Sequence, residues 1–129
     1  MKYLFRYVIW FSMLISWFNI FLSKIFCTIG KCVINSGIAF GISIKGEIVT
    51  VLFLILLIIY IGLRVKREWG VILVSIGVLG LSNLICRLIF GGVPDYFHLL
   101  GISFNIADIF IVLFAIISGV LILFKRERD

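Results

Sequence analysis

Four runs of apolar residues dominate this chain, each close to the length that crosses a bilayer. A helix needs roughly 20 mostly apolar residues to span the hydrocarbon core. The runs place spans at about 3–22, 48–64, 70–89 and 105–124. A soluble globule of 129 residues has no interior that could hide them, because a small domain buries only part of its surface. Composition agrees: 64% of residues are hydrophobic and 14% charged, against roughly 45–50% and 25% in soluble domains. The chain reads as an integral membrane α-helical protein, one membrane domain over 1–129, with four transmembrane helices.

The net charge is +6, but the basic residues are not gathered into a nucleic-acid patch. They sit at the ends of the apolar runs, which is a topology signal. Lys2, Arg6, Arg64, Lys66, Arg67, Lys125, Arg126 and Arg128 fall on one side of a four-span chain. Lys24, Lys31, Lys45 and Arg87 fall on the other side or near it. The richer side is cytoplasmic by the positive-inside rule, so both termini are expected there. The segment 23–47 and the loop 90–104 then face outward together. Lys2 and Arg6 give the first run the look of a signal peptide, but Phe26 before Cys27 does not suit lipoprotein processing. It reads as an uncleaved first helix. Glycines and short alternations such as Ile42-Ser43-Ile44-Lys45 predict a small, partly β segment over 23–47, lying on the membrane surface. Cys27, Cys32 and Cys86 form no C-x-x-C pair, so no metal or redox motif is supported. A Cys27–Cys32 bridge stays open if that loop meets an oxidising space.

The chemistry concentrates in the outward loop. Asp95 lies in Gly91-Gly92-Val93-Pro94-Asp95-Tyr96-Phe97, and Asp108 opens the last apolar run. An acid at the edge of a span is costly and points to function. Each also has a plain structural reading. Asp follows Pro in many turns. Asn105 is a good helix N-cap, and an acid three residues later can reach back to it. Taken together on one membrane face, they can form a pair that shares a proton, the charged member activating water and the neutral one polarising a carbonyl. That pairing requires the loop to fold back over the fourth span. Asn83 and Arg87 share one face of the third helix. Arg87 either snorkels to the interface or points inward with Asn83 to hold a substrate backbone. Asn35-Ser36-Gly37-Ile38-Ala39-Phe40-Gly41 reads as a turn and short strand, or as a substrate-facing edge. His98 has no accompanying nucleophile motif and reads as interfacial.

Asn35-x-Gly37-x-Ala39-Phe40-Gly41, Ser82-Asn83-x-x-x-Arg87, Gly92-Val93-x-Asp95-Tyr96 and Phe104-Asn105-x-Ala107-Asp108, in this order, resemble signal peptidase II, the bacterial prolipoprotein signal peptidase. The resemblance implies a four-helix membrane aspartyl peptidase with a small extracytoplasmic β-cradle between helices 1 and 2. It implies cleavage before the diacylglyceryl-modified cysteine of a prolipoprotein, with no cofactor or metal, by a monomer in the cytoplasmic membrane whose site lies near the outer face. Asp95 and Asp108 match the family's catalytic pair. Asn35, Gly37, Ala39, Asn83, Arg87, Asn105 and Ala107 match positions that bind substrate or support the site. Two positions depart from the family's pattern: Cys86 stands for an acid before Arg87, and Ile20 for an acid ahead of Lys24. They imply altered packing or substrate handling. The competing readings are a four-span transporter or pore with Asp108 as its ion site, and a homologue that binds lipoproteins without cutting them. Asp108 at a span's outer end, rather than at the midplane, favours the peptidase.

Overall fold

The computed structural model describes residues 2–35, 47–65 and 67–128. In chain order the elements are α1 (Lys2–Thr28), β1 (Val33–Asn35), α2 (Glu47–Arg64), α3 (Arg67–Phe90), β2 (Val93–Asp95), β3 (Phe97–Leu99), β4 (Ile102–Phe104) and α4 (Ile106–Arg128). The protein is a four-helix membrane protein with a small β region at one end. Apolar stretches of spanning length cover Arg6–Thr28, Glu68–Phe90 and Ile106–Phe124, while that of α2, Ile48–Arg64, is shorter. The 18 residues of α2 extend about 27 Å at a rise of 1.5 Å each, close to the thickness of the hydrocarbon core.

The central helix is α3, packed against α1, α2 and α4. Its contact with α2 is apolar. Val51 and Ile55 of α2 bury against Leu84, with Ile59 alongside. Near the α2–α3 turn the backbones meet so closely that a Cβ on Gly70 would collide with the Gly62 carbonyl oxygen. Its contact with α1 is polar instead. Ser12, Ser16, Asn19 and Ser23 follow a 4-3-4 spacing on one face of α1, and all are buried. Ser16 Oγ donates to the Ser12 carbonyl at 2.8 Å and lies 3.1 Å from the Val78 carbonyl of α3. Small polar residues suit a membrane interface because they let helices approach and bond where lipid offers no partner.

The first helix corrects one expectation. Residues 23–28, assigned above to the surface β segment, are the last turns of α1. Their hydroxyls do not compete with the helix. Ser23 Oγ donates to the Asn19 carbonyl at 2.8 Å, and Thr28 Oγ1 to the Lys24 carbonyl at 2.6 Å, so both are satisfied within it. The helix ends at Gly30, whose φ of 74° is left-handed. Gly30 N–H donates to the Cys27 carbonyl at 3.1 Å and Lys31 N–H to the Phe26 carbonyl at 2.8 Å, the paired bonds of a glycine C-cap. Cys27, in the last turn, is bridged to Cys32 just before β1.

Two small antiparallel sheets complete the fold. One pairs β1 with β2, joining the segment after α1 to the loop after α3; the other is the hairpin β3–β4. The segment 90–104 is therefore mostly strand, with α3 running on to Phe90.

Candidate active site

The loop acid is placed by the first sheet. In the β1–β2 register Val33 faces Asp95, Ile34 faces Pro94 and Asn35 faces Val93. Pro94 lacks an N–H, which a two-stranded sheet tolerates because one side of each strand needs no donor. All three residues of β2 are buried, and Asp95 is only 3% exposed. Pairing with β1 holds the loop inward over the helix ends.

The second acid is placed by the start of α4. Asn105 is its N-cap: Asn105 Oδ1 accepts the Asp108 N–H at 3.0 Å, while Asp108 Oδ2 accepts the Asn105 N–H at 3.1 Å. This is the reciprocal capping box. Capping occupies only one carboxylate oxygen of Asp108. The other, Oδ1, accepts from Asn83 Nδ2 of α3 at 3.1 Å. The amide of Asn105 then links the acids, since its Nδ2 donates to Asn83 Oδ1 at 3.0 Å and to Asp95 Oδ1 at 3.4 Å. Asn105 and Ala107 are fully buried.

Asn83, Arg87, Asp95, Ser103 and Asp108 line one cavity of about 260 Å³. Arg87 is buried and lines it too, so of its two readings the inward one describes its position. The remaining walls are apolar, including Val51, Leu54, Ile55 and Ile58 of α2 and Ile111 and Val112 of α4. On α3 the lining runs from Ile76 to Arg87, a length of roughly 16 Å along the axis. The space is thus polar where the acids lie and apolar along the spans. Among the described residues no group of three or more His, Cys, Asp or Glu side chains is placed to hold a metal ion.

The remaining motif positions divide. Asn35 is placed by its backbone in β1, and Gly37 and Ala39 lie outside the described residues. His98 is on the hairpin and bonds to Ser103.

Sequence reasoning gave no role to two residues on which the site rests, Asn19 and Tyr96. Asn19 of α1 is fully buried; its Nδ2 donates to Ser82 Oγ at 3.2 Å and to Asn83 Oδ1 at 3.4 Å. Its Oδ1 accepts the Tyr96 hydroxyl at 2.7 Å, and that hydroxyl accepts the Ile106 N–H at 3.2 Å. Tyr96 thus ties α1 to the start of α4, with its ring stacked on Phe26 at 5.0 Å. Burial pushes its phenol above the ordinary range, so it stays a neutral donor. The signal for Asn19 was the 12-16-19-23 polar stripe in an otherwise apolar run. Cys86 is fully buried with its Sγ 3.9 Å from Ser23 Oγ, so the position of the family's acid packs against the same stripe.

Comparison with curated proteins gives no match, and comparison with solved structures gives none either. A family model does match: Peptidase_A8, Signal peptidase (SPase) II, over residues 9–124. That span takes in most of α1, the strands, the acid-lined cavity and nearly all of α4, and the chain belongs to the signal peptidase II family of aspartic peptidases.

Proposed function

We propose that this protein removes the signal peptide of diacylglyceryl-modified prolipoproteins, cutting before the lipidated cysteine, with Asp95 and Asp108 as its catalytic pair. The observation that carries the reading is the convergence of both acids on one cavity, linked through Asn105. The family supports lipoprotein signal-peptide cleavage in general.

The chemistry follows from the pair. Two neighbouring carboxylates share a proton, because ionising both is costly in a poorly solvated site. The ionised one takes a proton from a water molecule as that water attacks the scissile carbonyl carbon. The protonated one donates to the carbonyl oxygen, and the tetrahedral intermediate then collapses with proton transfer to the leaving nitrogen. Asn83 and Arg87 hold the substrate backbone beside the acids, and the apolar walls receive the hydrophobic part of the signal peptide. Asn105 and Ala107 support the pair, and Asn35, Gly37 and Ala39 bind substrate. Every part comes from one chain, so a monomer suffices. Both termini are cytoplasmic and the site lies near the outer face. The basic residues support this orientation, as does the Cys27–Cys32 bridge at the site's end, since disulfides persist in oxidising compartments.

The test is cleavage of a diacylglyceryl-modified precursor peptide by purified protein in detergent, beside Asp95→Asn and Asp108→Asn and with a chelator. Cleavage by the parent alone, unaffected by chelator, is expected. An active Asp108→Asn variant would sink the assignment.

A further inference from the structure

The hairpin β3–β4 lies between the two acids and has two unlike faces. Its register pairs Phe97 with Phe104, His98 with Ser103 and Leu99 with Ile102. Side chains alternate along a strand, so one face carries Phe97, Leu99, Ile102 and Phe104, and the opposite face carries His98 and Ser103. The polar face belongs to the site: His98 Nδ1 and Ser103 Oγ share a hydrogen bond of 2.8 Å, and Ser103 lines the acid cavity. On the apolar face Phe97 lies against Phe104 and Tyr96, while Leu99 and Ile102 next to the turn are 62% and 49% exposed; His98 on the other face is exposed as well.

The turn carries a second, independent observation. Leu100 and Gly101 both have positive φ, 51° and 78°. A two-residue turn of this kind favours Asn followed by Gly. Leucine takes the left-handed conformation at a cost, and here it does so with its side chain 93% exposed. Backbone strain of this kind is held where function requires the residue. A lone two-stranded hairpin is also marginal in water, so its apolar face needs cover.

We propose that the apolar face and the Leu99–Leu100 tip seat in the headgroup–hydrocarbon boundary of the bilayer, anchoring the hairpin beside the site. Continuity with the lipid-facing surface selects this occupant. Only Asn105 separates β4 from α4, whose outward residues Ile109 and Ile116 are exposed apolar side chains on a spanning helix. At the other edge, Leu88 and Ile89 at the end of α3 are likewise exposed. The hairpin thus stands at the level where two spans meet the interface. Lipid contact there sets the depth of Ser103, and through the strand ends that of Asp95 and Asn105. The inference concerns membrane seating and does not depend on which bond the acids act upon.

The test places a spin label at Leu100→Cys in vesicles of phosphatidylethanolamine and phosphatidylglycerol, without substrate. The chain's own thiols do not compete, because Cys86 is buried and Cys27 and Cys32 are bridged. Collision rates with oxygen, which concentrates in lipid, and with a water-soluble nickel chelate are then compared. High oxygen and low nickel access is expected. High nickel access would mean a tip in water, and low access to both would mean cover by protein, whether another part of the chain or a second copy; either overturns the proposal. A label at Leu99→Cys, read with and without Leu100→Asn, isolates the leucine. Asparagine suits the turn, so thermal stability should hold or rise while nickel access at the label increases severalfold. Unchanged access would remove Leu100 from the anchor.

Discussion

Replacing Asn105 by alanine should cost more than the loss of a helix cap. The cap itself contributes about 1 kcal/mol. The amide Nδ2 also serves Asn83 Oδ1 at 3.0 Å and Asp95 Oδ1 at 3.4 Å. Asn83 Oδ1 keeps a second donor in Asn19 at 3.4 Å, and the bond lost to the buried carboxylate of Asp95 is worth about 1–2 kcal/mol. The sum is about 2–3 kcal/mol, or roughly a 30- to 150-fold shift in the unfolding equilibrium. Asn105→Ser separates the two parts, because serine caps a helix as well as asparagine does but cannot reach both partners with an N–H. It should recover about 1 kcal/mol of stability and leave the acids unlinked. Reversible unfolding in mixed micelles measures the first quantity, and precursor cleavage the second. Asn105→Ser should be folded and slow. If it cleaves as fast as the parent, the amide is only a cap. If Asn105→Ala costs under about 0.5 kcal/mol, the network is not what holds this end together.

Other outcomes follow from the same geometry. Asp108→Asn can keep the Asn105 N–H and Asn83 contacts through one oxygen at most, so it should fold with a loss of about 1–2 kcal/mol and show no cleavage. Tyr96→Phe removes a hydroxyl bonded to Asn19 and to Ile106 N–H and should lower stability by about 1–3 kcal/mol in the same unfolding assay. The raised phenol pKa of Tyr96 means the folded state retains a proton that the unfolded chain releases, so its stabilisation is whole below about pH 10 and falls as pH rises beyond it. Thermal scans of parent and Tyr96→Phe from neutral to strongly alkaline pH should converge. Reducing the Cys27–Cys32 bridge, which closes a loop with a sequence separation of 5, should cost about 2 kcal/mol by chain entropy. Because Cys32 adjoins Val33, the partner of Asp95, cleavage should also slow, and Cys27→Ser should reproduce both effects without reductant.

The membrane class, the four apolar helices and the motifs that mark the family were legible because each is a local pattern of residue type. The meeting of Asp95 with the Asn105–Asp108 cap was legible only as a condition, that the loop fold back. What satisfies it is the pairing of β1 with β2 across two intervening helices, and short strands carry too little pattern to announce such a partner. Ser23 and Thr28 misled for a different reason. A hydroxyl that bonds the carbonyl four residues back is helical, yet by composition it reads as loop. Asn19 stands next to Ile20, which occupies the position of the family's acid, so matching position by position gives it no role; its worth shows only when the helix is turned to bring it into line with Ser12, Ser16 and Ser23. The alternation in β3 and β4 was present in the residues, but each strand is too short to stand out.

The second helix stands apart from this polar framework. None of the hydrogen bonds given above involves α2, which adds Val51, Leu54, Ile55 and Ile58 to the cavity wall. Hydrogen bonds fail abruptly when their geometry shifts, whereas apolar contacts change gradually with side-chain volume. Selection can therefore reshape that wall one methyl group at a time while the acids, their asparagines and Tyr96 stay fixed. Divergence among relatives should concentrate on the cavity-facing positions of α2, making that helix the natural place to retune which precursors fit.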